Sequence, residues 1–464
     1  MPPISIPRPA LPKLGPCSVQ PATRGWRLGL LSLAVVMATG HAIADDGSED
    51  NPSRIKLSGF ATLALSHNNN AQAGVISAFS QERPARQGWS GDLDSVLGLQ
   101  LDGALLPGTT VTVQGVARPD NQMAPQLRMA YVRQQLNSDT SLRVGRLRSP
   151  LYFDSDVAEI GYAYLMERPP IPLYGIVNSV TALDGMDLQW RSGLGSAAVL
   201  VQAYYGGTHY RHQFYNQGSV ASADLSDIRG LAVSAALPWI TVRMSRTWTG
   251  SYTMRSTAID QLNQGLGQLT QGLGAMAANP QLPASVASGL AQQATQISAL
   301  QNPFDNKPIY TSLGFDANWG DWRFLGEWAQ LESRSAMVGR YRGYQLTAAY
   351  NLGNFSPYVS LSQQQRQDKG LNTSALQGTG LSSALDMALA QTQGGLDQAA
   401  QYANLSMRSA SVGVRWDFEE RKALKFQFDR LTTPGPSVPG MLAVGQMPFR
   451  NSVNLFTVAL NIVF

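Results

Sequence analysis

The sequence predicts an all-β protein, a transmembrane antiparallel β-barrel of about 16 strands. Three observations predict it. Polar and apolar residues alternate in about 16 segments of roughly 8 to 12 residues, which is the periodicity of strands. The connections between the segments alternate between short and long, and the polar faces carry too many charges to be buried in a dry core.

The N-terminal residues 1–44 are predicted to be a signal peptide that is removed, which leaves 45–464 as the barrel. Arg24 and Arg27 precede the apolar run 28–38, and Ala-Ile-Ala at 42–44 is typical of a cleavage site. An anchoring helix is the alternative, but the run is shorter than the roughly 20 residues that span a bilayer.

Composition excludes several functional classes. Without residues 1–44 the chain has 31 basic and 31 acidic residues, so its charge gives no reason to expect a nucleic-acid partner. The single cysteine, Cys17, lies in the predicted signal peptide. We therefore expect no disulfide, no zinc-thiolate site and no cysteine nucleophile in 45–464.

The strand pattern is clear in 92–102, where Leu97, Leu99 and Leu101 share one face and Gln100 and Asp102 share the other. The predicted strands are 55–65, 92–102, 110–118, 127–136, 141–147, 185–191, 197–205, 229–237, 240–248, 311–318, 322–330, 343–350, 357–363, 409–418, 424–430 and 453–464.

Short and long connections alternate along the chain. Tight turns are predicted at 106–108, 137–139, 193–195, around 238, and at 320–321, 351–354 and 419–422. Long polar connections are predicted at 67–91, 119–126, 148–184, 206–228, 249–310, 331–342, 364–408 and 431–451. This sorting places all tight turns at one end of the barrel and is typical of transmembrane barrels.

The polar faces of the strands indicate a wet interior. They carry Asp94, Asp102, Arg118, Arg143, Gln189, Arg191, Gln202, Arg243, Glu327, Gln345, Arg415, Asp417, Lys425, Gln427 and Asp429. A core built from these side chains would incur a large desolvation penalty, whereas a water-filled lumen with an apolar outer face in lipid would not.

The last segment places Phe456, Val458, Leu460, Ile462 and Phe464 on one face. This pattern resembles the assembly signal that the outer-membrane barrel assembly machinery of Gram-negative bacteria reads. The alternative is the final buried strand of a soluble β protein.

The chain also resembles the general porins of the proteobacterial outer membrane. The resemblance lies in 57–63 (LSGFATL), 143–148 (RVGRLR), Asp154, 160–164 (IGYAY), 168–170 (RPP), 174–175 (YG) and 454–464 (NLFTVALNIVF). It implies a multi-pass 16-stranded barrel in the cell outer membrane of a Gram-negative bacterium, with short periplasmic turns and long external loops. The chain departs from the family in its two long Gln- and Leu-rich loops, and no residue-by-residue match to a porin with a defined solute site is found.

The function that this resemblance implies is a porin, a water-filled channel for passive or substrate-favoured diffusion of ions and other small hydrophilic solutes. The implied partners are outer-membrane lipid, lipopolysaccharide, the barrel assembly machinery and two further copies in a homotrimer, with no nucleic acid. No cofactor is expected, and no metal, because Asp154 and Asp156 lack the glycine and downstream glutamate of a calcium loop.

A barrel of about 16 strands is too wide for its own side chains to fill, so a segment must narrow it. The connection 148–184 matches by position the third external loop, which folds into the channel in general porins. We predict pore-constricting residues in it and, on the barrel wall, arginines and a lysine that face them across the channel. The loop residues are Tyr152, Asp154, Asp156, Glu159, Glu167 and Arg168, and the wall residues are Lys56, Arg118, Arg143 and Arg146. Alternatively, these are solvated charges without a special role.

The long external loops 249–310 and 364–408 contain stretches, 257–300 and 371–405, with leucines spaced by three and four. This spacing favours short amphipathic helices that cap or plug the mouth, while the Gly and Gln content favours mobile low-complexity loops instead.

We expect no enzymatic activity. His67, His209 and His212 all fall in predicted external connections, and no nucleophile elbow or metal-binding pair accompanies them. A plugged specific channel, an outer-membrane enzyme and a structural barrel remain as alternatives.

Overall fold

The structure is a computed structural model, and it describes residues 55–464. The predicted signal peptide, 1–44, lies outside the described residues.

Sixteen long antiparallel strands form one closed barrel. They are β1 (Ile55–Asn68), β2 (Val96–Leu106), β3 (Thr109–Ala117), β4 (Gln126–Gln135), β5 (Thr140–Arg148), β6 (Ala182–Leu194), β7 (Ala197–Phe214), β8 (Ser219–Ala236), β9 (Ile240–Arg255), β10 (Ile309–Trp319), β11 (Trp322–Glu332), β12 (Tyr341–Tyr350), β13 (Phe355–Arg366), β14 (Met407–Glu419), β15 (Lys422–Thr432) and β16 (Ser452–Val463). Each strand pairs with its neighbours in the sequence, and β1 pairs with β16 as well as with β2. The predicted fold class is confirmed.

The seam between β1 and β16 closes the barrel. Leu63 lies opposite Leu460 in its register, and the backbone N–H of Gly59 donates to the carbonyl of Phe464 over 2.8 Å. The N–H of Phe464 donates back to the carbonyl of Gly59 over 2.9 Å. No strand edge is left open at the seam, so the backbone polar groups there are satisfied, as a lipid environment requires.

The two faces of the barrel have opposite polarity. In β1, Leu63 and Leu65 are each 57% exposed on the outside, whereas Thr62 and Ser66 are buried inside. The same outward pattern continues at Leu101, Met186, Leu188, Trp190, Met244, Leu313, Trp328, Leu346, Val359, Leu361, Val412 and Phe428. Buried polar residues include Gln114, Asp187, Gln189, Gln202, Arg243, Glu327, Gln345, Lys425, Gln427 and Asp429. An apolar exterior around a polar interior is the arrangement of a barrel that spans a membrane.

One predicted loop is wrong. The connection 206–228 is mostly strand, because β7 extends to Phe214 and β8 begins at Ser219, so only a tight turn separates them. The extended part of this hairpin is covered on its inner side, where Ala223 and Leu225 pack against Tyr252. These apolar contacts stabilise the additional residues of both strands. The polar and glycine-containing sequence of 206–228 gave no sign of this packing.

The long connections after β9 and after β13 contain three helices, α2 (Thr257–Ala277), α3 (Ala284–Ser298) and α4 (Ser383–Tyr402), which follow the short α1 (Ile171–Tyr174). Of the two alternatives for these connections, the structure therefore contains the helical one. Ser256 and Ser382 cap the N-termini of α2 and α4 by accepting hydrogen bonds from the N–H groups of Ile259 and Leu385. Within 55–464, no helix has the length and apolar character needed to cross a membrane.

The helices share a core of their own. It contains Leu266, Leu269, Leu273, Leu290, Ala294, Ile297, Leu376, Leu389 and Leu396. A second link joins the first and last long connections, where Ala73–Val75 pairs with Leu442–Val444 as a two-stranded sheet. The long connections are thus packed against one another at one end of the barrel.

Candidate functional site

The segment 149–181, which we call the lumen segment, connects β5 to β6 and lies inside the barrel. Wall residues on widely separated strands hold its backbone. Lys425 of β15 donates to the carbonyls of Gly161 and Met166 over 2.7 and 2.9 Å. Phe153 N–H donates to the Glu327 carboxylate of β11 over 3.2 Å. Contacts with such distant strands mean that the segment crosses the lumen.

Glu159 is the centre of one anchor of the lumen segment. Its buried carboxylate pairs with Arg118, with Arg128 over 3.2 Å and with Arg148 over 3.3 Å. Burial alone would raise the pKa of Glu159, but the three guanidinium groups outweigh it and hold the pKa well below its usual range. The three arginines therefore favour the ionised form of the carboxylate.

Arg128 and Arg148 reach Glu159 from a β-bulge and from the end of a strand. Arg128 lies in a β-bulge, since Gln114 pairs with Met129 while the next residue, Gly115, pairs with Leu127. A bulge redirects a side chain that would otherwise continue the alternation. Arg148 is the last residue of β5, and its guanidinium reaches the Gln114 side chain over 3.0 Å.

Arg168 is the centre of the second anchor. Its buried guanidinium binds the carboxylates of Asp94, just before β2, and of Asp429 on β15, and it also donates to the Thr457 hydroxyl over 2.6 Å. The neighbouring Glu167 is buried beside Lys425. Burial raises the pKa of Glu167 to about 7, although the ammonium group of Lys425 opposes the shift.

Asp154 and Asp156 lie on a different flank. Asp156 pairs with Arg243 of β9 over 2.7 Å. Burial, and then the negative charge of Asp316 on β10, raise the pKa of Asp154 to about 6. Asp154 and Asp156 therefore lie beside different parts of the wall from Glu159. Tyr152 is buried in the segment, and its hydroxyl donates to Asn178 over 3.3 Å.

The four predicted wall residues have different positions. Arg118 contacts Glu159 directly and does not face it across a gap. Arg143 lies on the inner face and pairs with Asp187 of β6, with 2.9 Å between Nε and Oδ1. It also lies over the ring of Tyr131.

The other two predicted wall residues occupy different parts of the barrel wall. Arg146 pairs with Asp184 of β6 over 2.7 Å and lines a polar cavity together with Arg128 and Glu159. Lys56 lies six positions before Thr62, the β1 residue that approaches the lumen segment at Gly161. At strand spacing this is about 20 Å away, so Lys56 is remote from the site.

A polar cavity of about 330 Å³ lies beside the lumen segment. Its lining includes Glu159 and Arg168, the centres of the two anchors, together with the carboxylates of Asp94 and Asp120 and the side chain of Ala158. The predicted site lacks four residues that contact Glu159 or Arg168 in the structure: Arg128, Arg148, Asp94 and Asp429. Alternation did predict inward positions for Asp94 and Asp429, but their contact with Arg168 depends on the path of the lumen segment.

Comparisons with known proteins add structural similarities. No protein-family model matches the sequence, and no curated protein is significantly similar to it. Among solved structures, it is similar to OmpF of Salmonella typhi in complex with daunomycin (10% identity, 88% of this chain and 97% of that chain covered, TM-score 0.49). It is also similar to the anion-selective porin from Comamonas acidovorans (12% identity, 88% and 99% covered, TM-score 0.48). A third is the outer membrane channel DcaP of Acinetobacter baumannii (9% identity, 88% and 97% covered, TM-score 0.48).

At these identities and TM-scores the similarities carry no argument about function. The chain's own architecture is a closed 16-stranded barrel with an apolar exterior, a polar interior and an inward segment, which is the arrangement of a transmembrane β-barrel. The fold that the resemblance implies, a closed antiparallel barrel of 16 strands, is thus confirmed.

The Glu159 anchor can be tested by Glu159→Gln. Loss of the carboxylate leaves three guanidinium groups without their common counter-charge, so we expect the free energy of unfolding in detergent to fall by on the order of 3 kcal/mol. Hydrogen exchange in peptides that cover the lumen segment should become faster. Glu420→Gln is the control, because the Glu420 side chain is 88% exposed in a turn. Unchanged exchange in Glu159→Gln would contradict the anchor.

Proposed function

We propose that the protein is an outer-membrane porin that forms a water-filled channel for passive or substrate-favoured diffusion of small hydrophilic solutes. The observation that carries this proposal is the polar lumen, crossed by a segment that ion pairs hold in place beside a polar cavity of about 330 Å³. Such a segment reduces a wide barrel to a passage in which charged groups select solutes.

The proposal places the constriction between the lumen segment and a part of the wall to which β2, β4, β5 and β7 contribute. Arg118, Arg128 and Arg168 line this passage together with Glu159 and Glu167. Because both signs of charge are present, the passage suits hydrated ions and dipolar molecules better than apolar ones. The long connections are external and the tight turns periplasmic in this proposal.

The proposal includes no catalytic activity and no cofactor. Two of the histidines pack against aromatic rings: His67 lies 5.1 Å from Trp89, and His212 lies 4.5 Å from Phe79, between ring centroids. The homotrimer and the contacts with lipid, lipopolysaccharide and the assembly machinery stay predictions.

A plugged specific channel is the second candidate, and the packing of α2, α3 and α4 on one core favours it. Single-channel recording in a planar bilayer separates the two. The porin proposal predicts discrete conductance steps from the purified 45–464 chain. If steps are absent from a β-rich preparation but return when 257–300 is replaced by a short linker, the helices plug the channel. Absence in both contradicts a channel.

The ion selectivity of the channel should depend on pH. Glu167, which lines the passage and whose pKa burial raises to about 7, loses negative charge as the pH falls from 8 to 5. The reversal potential under a salt gradient should therefore shift towards anion selectivity at low pH. Glu167→Gln should reduce the shift, whereas Asp321→Asn, in a tight turn, should leave it unchanged. A reversal potential that is independent of pH in this range would contradict this assignment.

A further inference from the structure

A second cavity, of about 270 Å³, lies at the end of the barrel where the long connections are packed. The extended parts of β7, β8 and β9 form one wall of it, through residues such as Leu225, Ile228 and Met254. The start of α2 and the end of α4 form another, through Ile259 and Tyr402. We call it the apolar cavity.

The apolar cavity differs in chemistry from the lumen. Among the described residues that line it there is no Asp, Glu, Lys or Arg, although the polar cavity beside the lumen segment is lined by many of them. Its wall consists mainly of aliphatic and aromatic side chains. Several aromatic rings are arranged in a row, since His212 lies 4.5 Å from Phe79 and 4.7 Å from Phe214, and Phe214 lies 6.3 Å from Phe304.

Two polar atoms of the cavity wall have no hydrogen-bond partner among the described residues. They are the hydroxyl of Tyr310, a residue that is 7% exposed, and Nδ1 of His212. A buried polar group without a partner destabilises the fold, so such groups are uncommon. Other hydroxyls around the cavity are paired, such as that of Tyr204, which lies 2.6 Å from the Thr247 hydroxyl.

We propose that the apolar cavity is a binding site for a small uncharged aromatic molecule that carries a hydroxyl or carbonyl group. The aromatic row and the aliphatic wall would bury the ring system, and the absence of charged side chains disfavours an ionised ligand. The polar group of the ligand would supply a hydrogen bond to Tyr310 or His212. This site is distinct from the Glu159 and Arg168 anchors, and its occupation does not require that the barrel conducts.

The test uses the purified 45–464 chain in detergent, with 1-naphthol as the probe, in equilibrium dialysis against protein-free micelles. Saturable binding above the micelle background is expected. Tyr310→Phe should weaken 1-naphthol binding by about 5- to 10-fold, which corresponds to one hydrogen bond. It should leave binding of naphthalene, which has no hydroxyl, unchanged. Naphthalene-1-sulfonate should bind at least about tenfold more weakly than 1-naphthol, because there is no Lys or Arg among the described residues that line the cavity.

Two further variants keep the result interpretable. Val338→Trp, in a loop that lines the cavity, should fill it and abolish saturable binding while the circular dichroism spectrum stays that of the wild type. Tyr344→Phe is the matched control, since Tyr344 is 46% exposed on the outer face and should bind 1-naphthol like the wild type. Binding no greater than that of the micelles would overturn the proposal. So would an equal loss for 1-naphthol and naphthalene in Tyr310→Phe, or binding that Val338→Trp leaves intact.

Discussion

The pairing of β1 with β16 is the constraint on which the rest of the structure depends. In lipid, a backbone N–H or carbonyl cannot exchange its partner for water, so the sheet has to close. Gly59 and Phe464 complete the closure through reciprocal backbone hydrogen bonds. A closed barrel of 16 strands encloses more space than its inward side chains fill. The polar interior and the lumen segment that crosses it both follow from this geometry.

Ion pairs hold the lumen segment because the wall around it is polar. A guanidinium or a carboxylate buried alone would be strongly unfavourable, but each anchor surrounds one charge with several of the opposite sign. Glu159 has three arginines, and Arg168 has two aspartates. Removal of a central charge should therefore release the segment, while a change at the exposed turns should not. The same charges border the polar cavity, so the groups that fix the segment also set the field in the proposed passage.

Alternation in the sequence predicts the strands and their faces because the side-chain period of a strand is a local property. Alternation fails where tertiary contacts determine the length of a strand. In 206–228, apolar packing on the inner side of the hairpin lengthens β7 and β8. Both Glu159 and Arg118 are predicted as site residues, but their direct contact depends on the path of the lumen segment. Arg128 escapes prediction because a bulge interrupts the alternation there.

The central claim is that solutes pass beside the lumen segment, and chemical modification within the passage tests it most directly. Ala158 lines the polar cavity, and 45–464 contains no cysteine, so Ala158→Cys introduces a single thiol there. The account predicts that a charged methanethiosulfonate reagent irreversibly reduces the single-channel current of Ala158→Cys and leaves the wild-type current unchanged. Complete labelling, verified by mass spectrometry, without any change in current would contradict it.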